Sequence, residues 1–356
     1  MSIKKIAELA GVSPSTVSRV LNNPNYKCSS PGLREKIWKT ARELNYVPNE
    51  AARNLRKGAE TEQSFYIQVL MTRTDSAQSD PFYTEVLRVI ESEIHRQMCI
   101  LSEVWYQPIF SNDKKCKIAN LDRIVSEMRE GQDTPCDGLI VIGRCDPEAL
   151  KRLKKTYKNV VSVNRNSTNF EVDEVNSDGK KIASLAVDQL IKKGHTKIGY
   201  VGACHNEMRY NGFCNTLRNH GLEVYPDYVI ETGQTQKEGY KAMERFAKMD
   251  DAPTGVYCAN DITAIGMITY MNRFKKRYYT PAIISSDDIE EAQYTNPMLT
   301  TVALPKEEMG RFAIFLLLDR IRGGHKNNVQ MEMEGKLVMR ESCTSVEDSY
   351  WCEYYI

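Results

Sequence analysis

Two successive series of short apolar runs, each alternating with helical stretches, constrain the fold of this 356-residue chain more than any other feature. The runs of the first series are at 65–71, 99–103, 138–143 and 160–163, with helical patterns from about Pro81, Asn120 and Pro147. Those of the second are at 198–202, 228–231, 255–258 and 282–285, with helical patterns from about Asp178, Glu207, Gln236 and Asp261. Strands that alternate with helices through short connections form parallel sheets covered on both faces. The sequence therefore predicts two doubly wound α/β subdomains, with a ligand crevice at the carboxyl ends of their strands.

The first sixty residues have a different, all-helical pattern. Apolar residues recur at helical spacing at Ile3, Ile6, Ala7, Leu9 and Ala10, and Gly11 stands where a helix would stop. Ser13 and Pro14 then form a helix start, because serine caps a helix and proline loses no needed N–H in the first turn. A second helix follows through Val17, Val20 and Leu21, and a third spans about 31–44, with Leu33, Ile37, Ala41 and Leu44 closing a core to which Trp38 and Tyr46 can add.

Two short helices joined by a tight glycine turn are the helix-turn-helix arrangement, whose second helix enters the major groove of DNA. The side chains of that helix not needed for packing are small or planar hydrogen bonders: Ser15, Thr16, Ser18, Arg19 and Asn22. Residues 1–60 hold eleven Lys or Arg and five Glu, a net charge of +6, so the remainder carries −5 in a chain of net charge +1. This asymmetry indicates a polyanion partner for the front module alone.

A short helix is also expected from Pro48 to about Arg56, ending at Gly58. At two or three turns it is marginal alone in water, so we expect it to order only when another element holds it.

The segments Ile-Ala-Glu-Leu-Ala-Gly-Val-Ser-Pro-Ser-Thr-Val-Ser-Arg-Val-Leu-Asn-Asn and Leu-Asn-Tyr-Val-Pro-Asn-Glu-Ala-Ala-Arg-Asn-Leu resemble the LacI/GalR family of bacterial repressors. The resemblance implies a DNA-binding domain over 1–58 with a hinge helix at 48–56. It implies that Ser15 and Arg19 read major-groove bases beside Pro14, with Ser13, Thr16 and Ser18 on the same face. It further implies that Asn22 and Tyr46 hold phosphates, that Asn49 and Ala52 face the minor groove, and that Leu55 is an apolar wedge between base steps. The loop 23–30 departs from the family in being about two residues longer, which puts phosphate contacts there in doubt.

The resemblance extends more loosely to about Cys343, through segments such as Gly194–Gly202, Ala259–Gly266 and Leu299–Val302. It implies a periplasmic-binding-protein-like ligand-sensing domain over 61–343, with the chain crossing between subdomains near 163, 290 and 325. By family position, the ligand contacts would be Arg209, Asn260 and Asp287, joined by Asn164, Arg165 and the aromatic rings of Tyr294 and Phe82. An arginine, an amide and a carboxylate match the alternating donors and acceptors of sugar hydroxyls. The family more often has Asp where this chain has Asn164.

Other classes of protein find little support. The ten cysteines and five histidines form neither a Cys-x-x-Cys pair nor a His-x-x-x-His, so we expect reduced thiols, no metal site and no cofactor. No Gly-x-Gly-x-x-Gly or phosphate-cradling loop with lysine is present, so catalysis is not expected. No run of eighteen apolar residues occurs, and Glu8 interrupts the start where a signal peptide is apolar, so a cytoplasmic location is expected.

The sequence thus predicts a transcriptional regulator, a repressor of sugar-utilisation genes, that binds a palindromic operator as a dimer and senses a small sugar-like effector. A regulator with the same DNA-binding role that senses a nucleobase or a partner protein stays open. The tail 344–356 has no leucine heptad, so a homodimer joined through the large domain is expected rather than a tetramer; the role of the tail is unassigned.

Overall fold

The structure is a computed structural model, and it describes residues 3–22, 26, 32–44, 64–73, 80–130, 136–274 and 279–345. The chain divides into two compact units, Met1–Ser64 and Phe65–Ile356. Within the described residues no helix is long and apolar enough to cross a membrane.

The described part of the small unit consists of three helices, α1 (Ile3–Ala10), α2 (Pro14–Asn22) and α3 (Leu33–Glu43). Their core is small and fully apolar; it contains Ile6, Ala7, Ala10, Val17, Val20, Ile37 and Ala41. Gly11 has a φ of +72°, the left-handed conformation that lets the chain turn sharply between α1 and α2. Two residues expected in this core are largely exposed: Leu9 is 53% exposed and Trp38 is 40% exposed. Each directly follows or precedes a buried residue in sequence, so it lies beside the buried stripe of its helix.

The large unit alternates strands and helices along most of its length. Its strands are β1 (Tyr66–Met71), β2 (Ile100–Tyr106), β3 (Gly138–Ile142), β4 (Val160–Asn164), β5 (Asp173–Asn176), β6 (Ile198–Gly202), β7 (Val229–Glu231), β8 (Gly255–Cys258), β9 (Ala282–Asp287), β10 (Thr300–Ala303), β11 (Gln330–Glu332) and β12 (Lys336–Val338). Its helices are α4 (Pro81–Arg96), α5 (Asp113–Ile118), α6 (Leu121–Glu130), α7 (Pro147–Thr156), α8 (Gly179–Lys192), α9 (Met208–Asn219), α10 (Gln236–Phe246), α11 (Asp261–Arg273) and α12 (Lys306–Ile321).

These strands form two six-stranded sheets. The first has the order β11-β5-β4-β3-β1-β2 and is parallel throughout. The second has the order β12-β10-β9-β8-β6-β7 and is parallel except at β12, which pairs antiparallel with β10. The central strands, such as the fully buried β3, are near-continuous apolar runs, as expected for strands covered on both faces. The prediction of two doubly wound subdomains is confirmed.

The chain passes between the two sheets later than expected. The chain leaves the first sheet after Asn176. It returns between β10 and α12, since α12 packs on α4 and on strands of the first sheet. It crosses for the last time between β11 of the first sheet and β12 of the second. The expected crossings near 163, 290 and 325 therefore lie roughly ten residues too early. The reason is that β5 (Asp-Glu-Val-Asn) and β10 (Thr-Thr-Val-Ala) are polar strands without an apolar run, and no strand was expected at either place.

Close helix packing also positions the cleft. A Cβ atom at Gly239 in α10 would collide with the backbone of Thr263, and one at Gly266 in α11 would collide with the backbone of Gln236. Glycine at both positions lets α10 and α11 lie in backbone contact. This packing brings the loop before α10 next to the residue that precedes α11.

Candidate functional site

The first candidate surface is the outer face of α2 in the small unit. Ser13, Pro14, Ser15 and Arg19 are exposed on it, and Thr16 and Ser18 are half-buried. Ser13 also has a structural task, because its Oγ accepts a hydrogen bond from the Thr16 backbone N–H at 3.2 Å and so caps the helix. The structure thus places the six predicted contacts at the N-terminal cap of α2 and along its first two turns.

Arg19 is the one formal charge on this face of α2. Its guanidinium carbon lies 5.9 Å from the centre of the Tyr26 ring, within the range of a cation–π contact. Arg34 donates to the backbone carbonyl of Tyr26 at 2.5 Å and fixes that residue. An exposed arginine that rests on an aromatic ring keeps its planar fork of donors available to a partner.

Several predicted DNA contacts lie outside the described residues. These are the side chain of Asn22, and Tyr46, Asn49, Ala52 and Leu55 with the hinge 48–56.

The second candidate site is the cleft where the two sheets of the large unit face each other. The carboxyl ends of β1 and β4 from one sheet, and of β6, β7, β8 and β9 from the other, carry polar residues into it. They are Arg73, Asn164, Arg165, Glu207, Arg209, Gln234, Asn260 and Asp287, and all but the half-buried Arg73 are at most 6% exposed. Because buried polar groups need partners, their contacts define what the site can accept.

An ion pair joins the subdomains across this cleft. Arg165, just after β4, donates from Nη1 to Oδ1 of Asp287, at the end of β9, over 2.7 Å. Burial raises the pKa of Asp287, although the Arg165 charge opposes the rise. The Nε of Arg165 is buried and has no hydrogen-bond partner among the described residues. A buried donor left unpaired costs about 1–3 kcal/mol, so an acceptor supplied from outside the chain would find a favourable place there.

Two aromatic rings form the floor under Arg165. Its guanidinium carbon lies 4.4 Å from the centre of the Phe82 ring and 4.9 Å from that of Tyr83. The Tyr83 hydroxyl donates to Oδ1 of Asn164 at 3.4 Å, and the same oxygen accepts from the Arg165 backbone N–H at 2.7 Å. The face of Phe82, expected to stack on a ligand, is therefore covered by Arg165, and Asn164 holds Arg165 and Tyr83 in place.

The second arginine of the cleft, Arg209 in α9, is bound by its own neighbours. Its Nε and Nη2 donate to the two carboxylate oxygens of Glu207 at 2.8 and 3.0 Å, and its Nη1 donates to the carbonyl of Ala259. Burial alone would raise the pKa of Glu207, but the charge and hydrogen bonds of Arg209 outweigh it and lower that pKa to about 2. Arg209 and Glu207 therefore form a fixed, fully charged pair.

Amide groups complete the second wall. Oδ1 of Asn260 accepts from the Thr263 backbone N–H at 3.2 Å and so caps α11, while its Nδ2 donates to the carbonyl of Gln234 at 3.4 Å. The Gln234 side-chain amide in turn lies 3.4 Å from Nη2 of both Arg209 and Arg73. The side-chain amide of Gln234 therefore lies between Arg209 of the second subdomain and Arg73 of the first.

The backbone that presents Asp287 is strained. Asp287 has a φ of +123° and Asp288 one of +51°, a conformation that non-glycine residues rarely adopt. The fully buried Asp261 holds this loop, because it accepts hydrogen bonds from the Ile289 N–H at 2.9 Å and the Thr301 hydroxyl at 2.7 Å. Burial raises the pKa of Asp261 to about 6 against those hydrogen bonds. On the other side, Lys306 donates to the Asp288 carbonyl at 2.8 Å.

One predicted ligand contact is not in the cleft. Tyr294 follows the short 3-10 turn Glu290–Gln293, and its side chain is 78% exposed. The turn that separates it from Asp287 carries it away from the buried polar cluster and into solvent.

Comparison with known proteins gives the family. Residues 2–49 match the family described as bacterial regulatory proteins, lacI family, and residues 187–343 match a periplasmic binding protein-like domain. Over 351 residues the chain is 30% identical to the HTH-type transcriptional repressor CytR of Escherichia coli K12. The alignment covers 96% of this chain and 96% of CytR. The chain belongs to the LacI family of bacterial regulatory proteins.

Solved structures with the same fold are consistent with this family assignment. A transcriptional regulator CelR–cellobiose complex superposes with a TM-score of 0.66 at 23% identity, over 96% of this chain and 99% of that one. The lac repressor dimer bound to operator and the anti-inducer ONPF gives a TM-score of 0.65 at 22% identity, over 97% and 99%.

For this LacI-family chain, sequence reasoning missed five residues in the cleft or directly beneath it, and one of these is Arg73 beside Gln234. Glu207 and Gln234 contact Arg209, Tyr83 lies under Arg165, and Asp261 supports Asp287. Glu207, Tyr83 and Asp261 each lie within two residues of an expected contact, namely Arg209, Phe82 and Asn260. Arg73 and Gln234 meet the cleft only through contacts that are remote in sequence.

Proposed function

We propose that this chain is a ligand-responsive transcriptional regulator that binds a palindromic operator as a homodimer and represses genes of sugar utilisation. The observation that supports it most directly is the joint presence of an exposed helix-turn-helix face and a buried polar cleft in one chain. A partner that reads DNA and a small molecule that enters a cleft need these two surfaces.

The DNA-binding part of the proposal rests on α2. Its exposed face offers hydroxyl donors and one arginine, and arginine contacts guanine in bidentate fashion. The lac repressor structure that resembles this chain is a dimer bound to operator, which favours the same assembly here. We assign base reading to Ser15 and Arg19, and support of the helix start to Ser13 and Pro14.

The sensing part rests on the chemistry of the cleft. Arg165 has a buried Nε without a partner, Asp287 is a carboxylate on the facing subdomain, and Asn260 adds an amide. Such a set donates to and accepts from the hydroxyl groups of a sugar. The resembling CelR structure contains cellobiose, which is consistent with a sugar-like effector.

A ligand that enters between Arg165 and Asp287 separates two groups now 2.7 Å apart and shifts the subdomains. We propose that this shift acts on the hinge 48–56, which lies outside the described residues, and changes operator affinity through a disorder–order step.

Two assays test the proposal. Selection of bound sequences from random DNA should enrich one palindrome with the wild-type chain. A thermal-shift panel of sugars, sugar phosphates and purines should give a stabilising sugar whose effect is lost in Asp287→Ala. A purine that stabilises instead would move the effector to the nucleobase class, and enrichment of no sequence would contradict the DNA-binding role.

A further inference from the structure

We infer that the cleft takes an uncharged, polyhydroxylated ligand and rejects anionic ligands such as sugar phosphates. The inference rests on the proposed function and narrows its ligand to one chemical class. It follows from the way in which the charges of the cleft are already paired within the chain.

Each buried arginine of the cleft has its own carboxylate. Arg165 pairs with Asp287 at 2.7 Å, and Arg209 pairs with both oxygens of Glu207 at 2.8 and 3.0 Å. All four residues are at most 5% exposed, so water screens these pairs little. An anionic ligand would have to take one arginine away from its carboxylate and leave that carboxylate buried without its partner.

The wider surroundings carry no surplus positive charge among the described residues. Arg73 adds a cation beside Gln234, and Asp80 adds an acidic group whose charge acts on both Arg165 and Asp287. Among the described residues, the three arginines Arg73, Arg165 and Arg209 are therefore matched by three acidic side chains, those of Asp80, Glu207 and Asp287. The Arg165 guanidinium at 2.7 Å opposes the burial that raises the pKa of Asp287 and favours its charged form. A phosphate group, with a charge of about −1.5 to −2 at pH 7, has no complementary charge there.

What the cleft does offer is suited to neutral oxygen atoms. The buried Nε of Arg165 has no partner in the described chain, and it needs an acceptor rather than a full negative charge. The amides of Gln234 and Asn260 and the carboxylate of Asp287 can each meet a hydroxyl, which both donates and accepts. A ligand whose hydroxyl groups bridge Arg165 and Asp287 leaves the charge of each residue balanced by the other.

The test uses inorganic phosphate as the anion probe on the full chain. Thermal stability is measured over a phosphate titration against sodium chloride of matched ionic strength, for wild type, Asp287→Asn and Arg165→Met/Asp287→Asn. The exposed Asp227→Asn is the matched control. We expect no specific stabilisation of wild type or the control. We expect Asp287→Asn to bind phosphate about tenfold more tightly or better, because Arg165 is then unpaired, and the double variant to lose this gain.

Two results would overturn the inference. The first is that phosphate stabilises the wild type and that Arg165→Met abolishes this stabilisation. The second is that Asp287→Asn folds normally but is not stabilised by phosphate. If Asp287→Asn does not fold, matched pairs of sugars and their phosphates on the wild type decide: binding of the phosphate member alone overturns the inference. That result would leave the proposed regulator function intact, whereas failure of the proposed function appears separately as failure to select any DNA sequence.

Discussion

Glu207→Gln should destabilise the large unit by about 3 kcal/mol at neutral pH. Glu207 is 5% exposed and accepts from Nε and Nη2 of Arg209. Lowering its pKa from the ordinary 4.5 to about 2 corresponds to about 3 kcal/mol of stabilisation of the charged form. Removal of one member of a buried ion pair costs about 3–5 kcal/mol, because the remaining charge stays buried without compensation. The two arguments give the same magnitude.

The pH dependence gives this prediction its sign. A carboxyl group whose pKa is lowered on folding contributes stability that is complete above its ordinary pKa and is lost as the pH falls through the folded value. The difference between wild type and Glu207→Gln should therefore be constant above about pH 5 and shrink between pH 4.5 and about 2.

The assay is urea unfolding of the full chain followed by circular dichroism at a series of pH values. Glu244→Gln is the matched control, since the side chain of Glu244 is 42% exposed and pairs with Lys248 along one helix, and it should leave stability unchanged. A loss under about 1 kcal/mol for Glu207→Gln, or a loss that does not depend on pH in the acid range, would refute the argument that Glu207 and Arg209 form a charged buried pair.

Three further predictions concern other parts of the chain. Arg19→Ala should lower affinity for the selected operator by about 1–3 kcal/mol more than for random DNA in a binding titration at fixed salt; equal losses would mean that Arg19 contacts only phosphates. Sedimentation should give the mass of two chains, and a mass of four would exclude the expected homodimer. His325 donates to Asp173 at 2.9 Å and Asp319 at 2.6 Å; burial lowers its pKa, but the two carboxylates outweigh this and raise it. Its contribution to stability is therefore complete below the ordinary pKa of 6.5 and is lost as the pH rises through the higher folded value. Wild type should therefore lose its advantage over His325→Gln as the pH is raised above 6.5, and a constant advantage would contradict the paired imidazolium.

The fold could be predicted wherever burial makes a strand apolar. The runs at Gly138–Ile142 and Ile198–Gly202 are fully buried and were expected within a residue of their observed ends. The polar strands β5 and β10 could not be predicted, because their side chains are paired by contacts that are remote in sequence. Asp173 of β5 pairs with Arg320, and Thr301 of β10 donates to Asp261. The misplaced subdomain crossings follow directly from those two omissions.

The sequence predicted which residues lie in the cleft, but it did not predict which of them pair with each other. The family resemblance located Arg165, Arg209, Asn260 and Asp287, in agreement with the rule that the carboxyl ends of parallel strands meet at one edge of a sheet. That Arg165 pairs with Asp287 is set by the closure of two subdomains over 122 residues of sequence, and no local pattern records it. Tyr294 was misplaced for the same reason, since the path of the turn after Asp287 depends on how Asp261 holds the loop.

The measurement that tests the central claim most directly is the affinity of the stabilising sugar for the chain alone and for the chain bound to its selected operator. Ligand and operator are proposed to act on one conformational equilibrium, so each must change the affinity of the other by the same factor. The account predicts that operator affinity, titrated with and without the sugar, changes by the factor by which the operator changes sugar affinity, and that this factor is clearly different from one. Equal sugar affinity in the presence and absence of operator would contradict it.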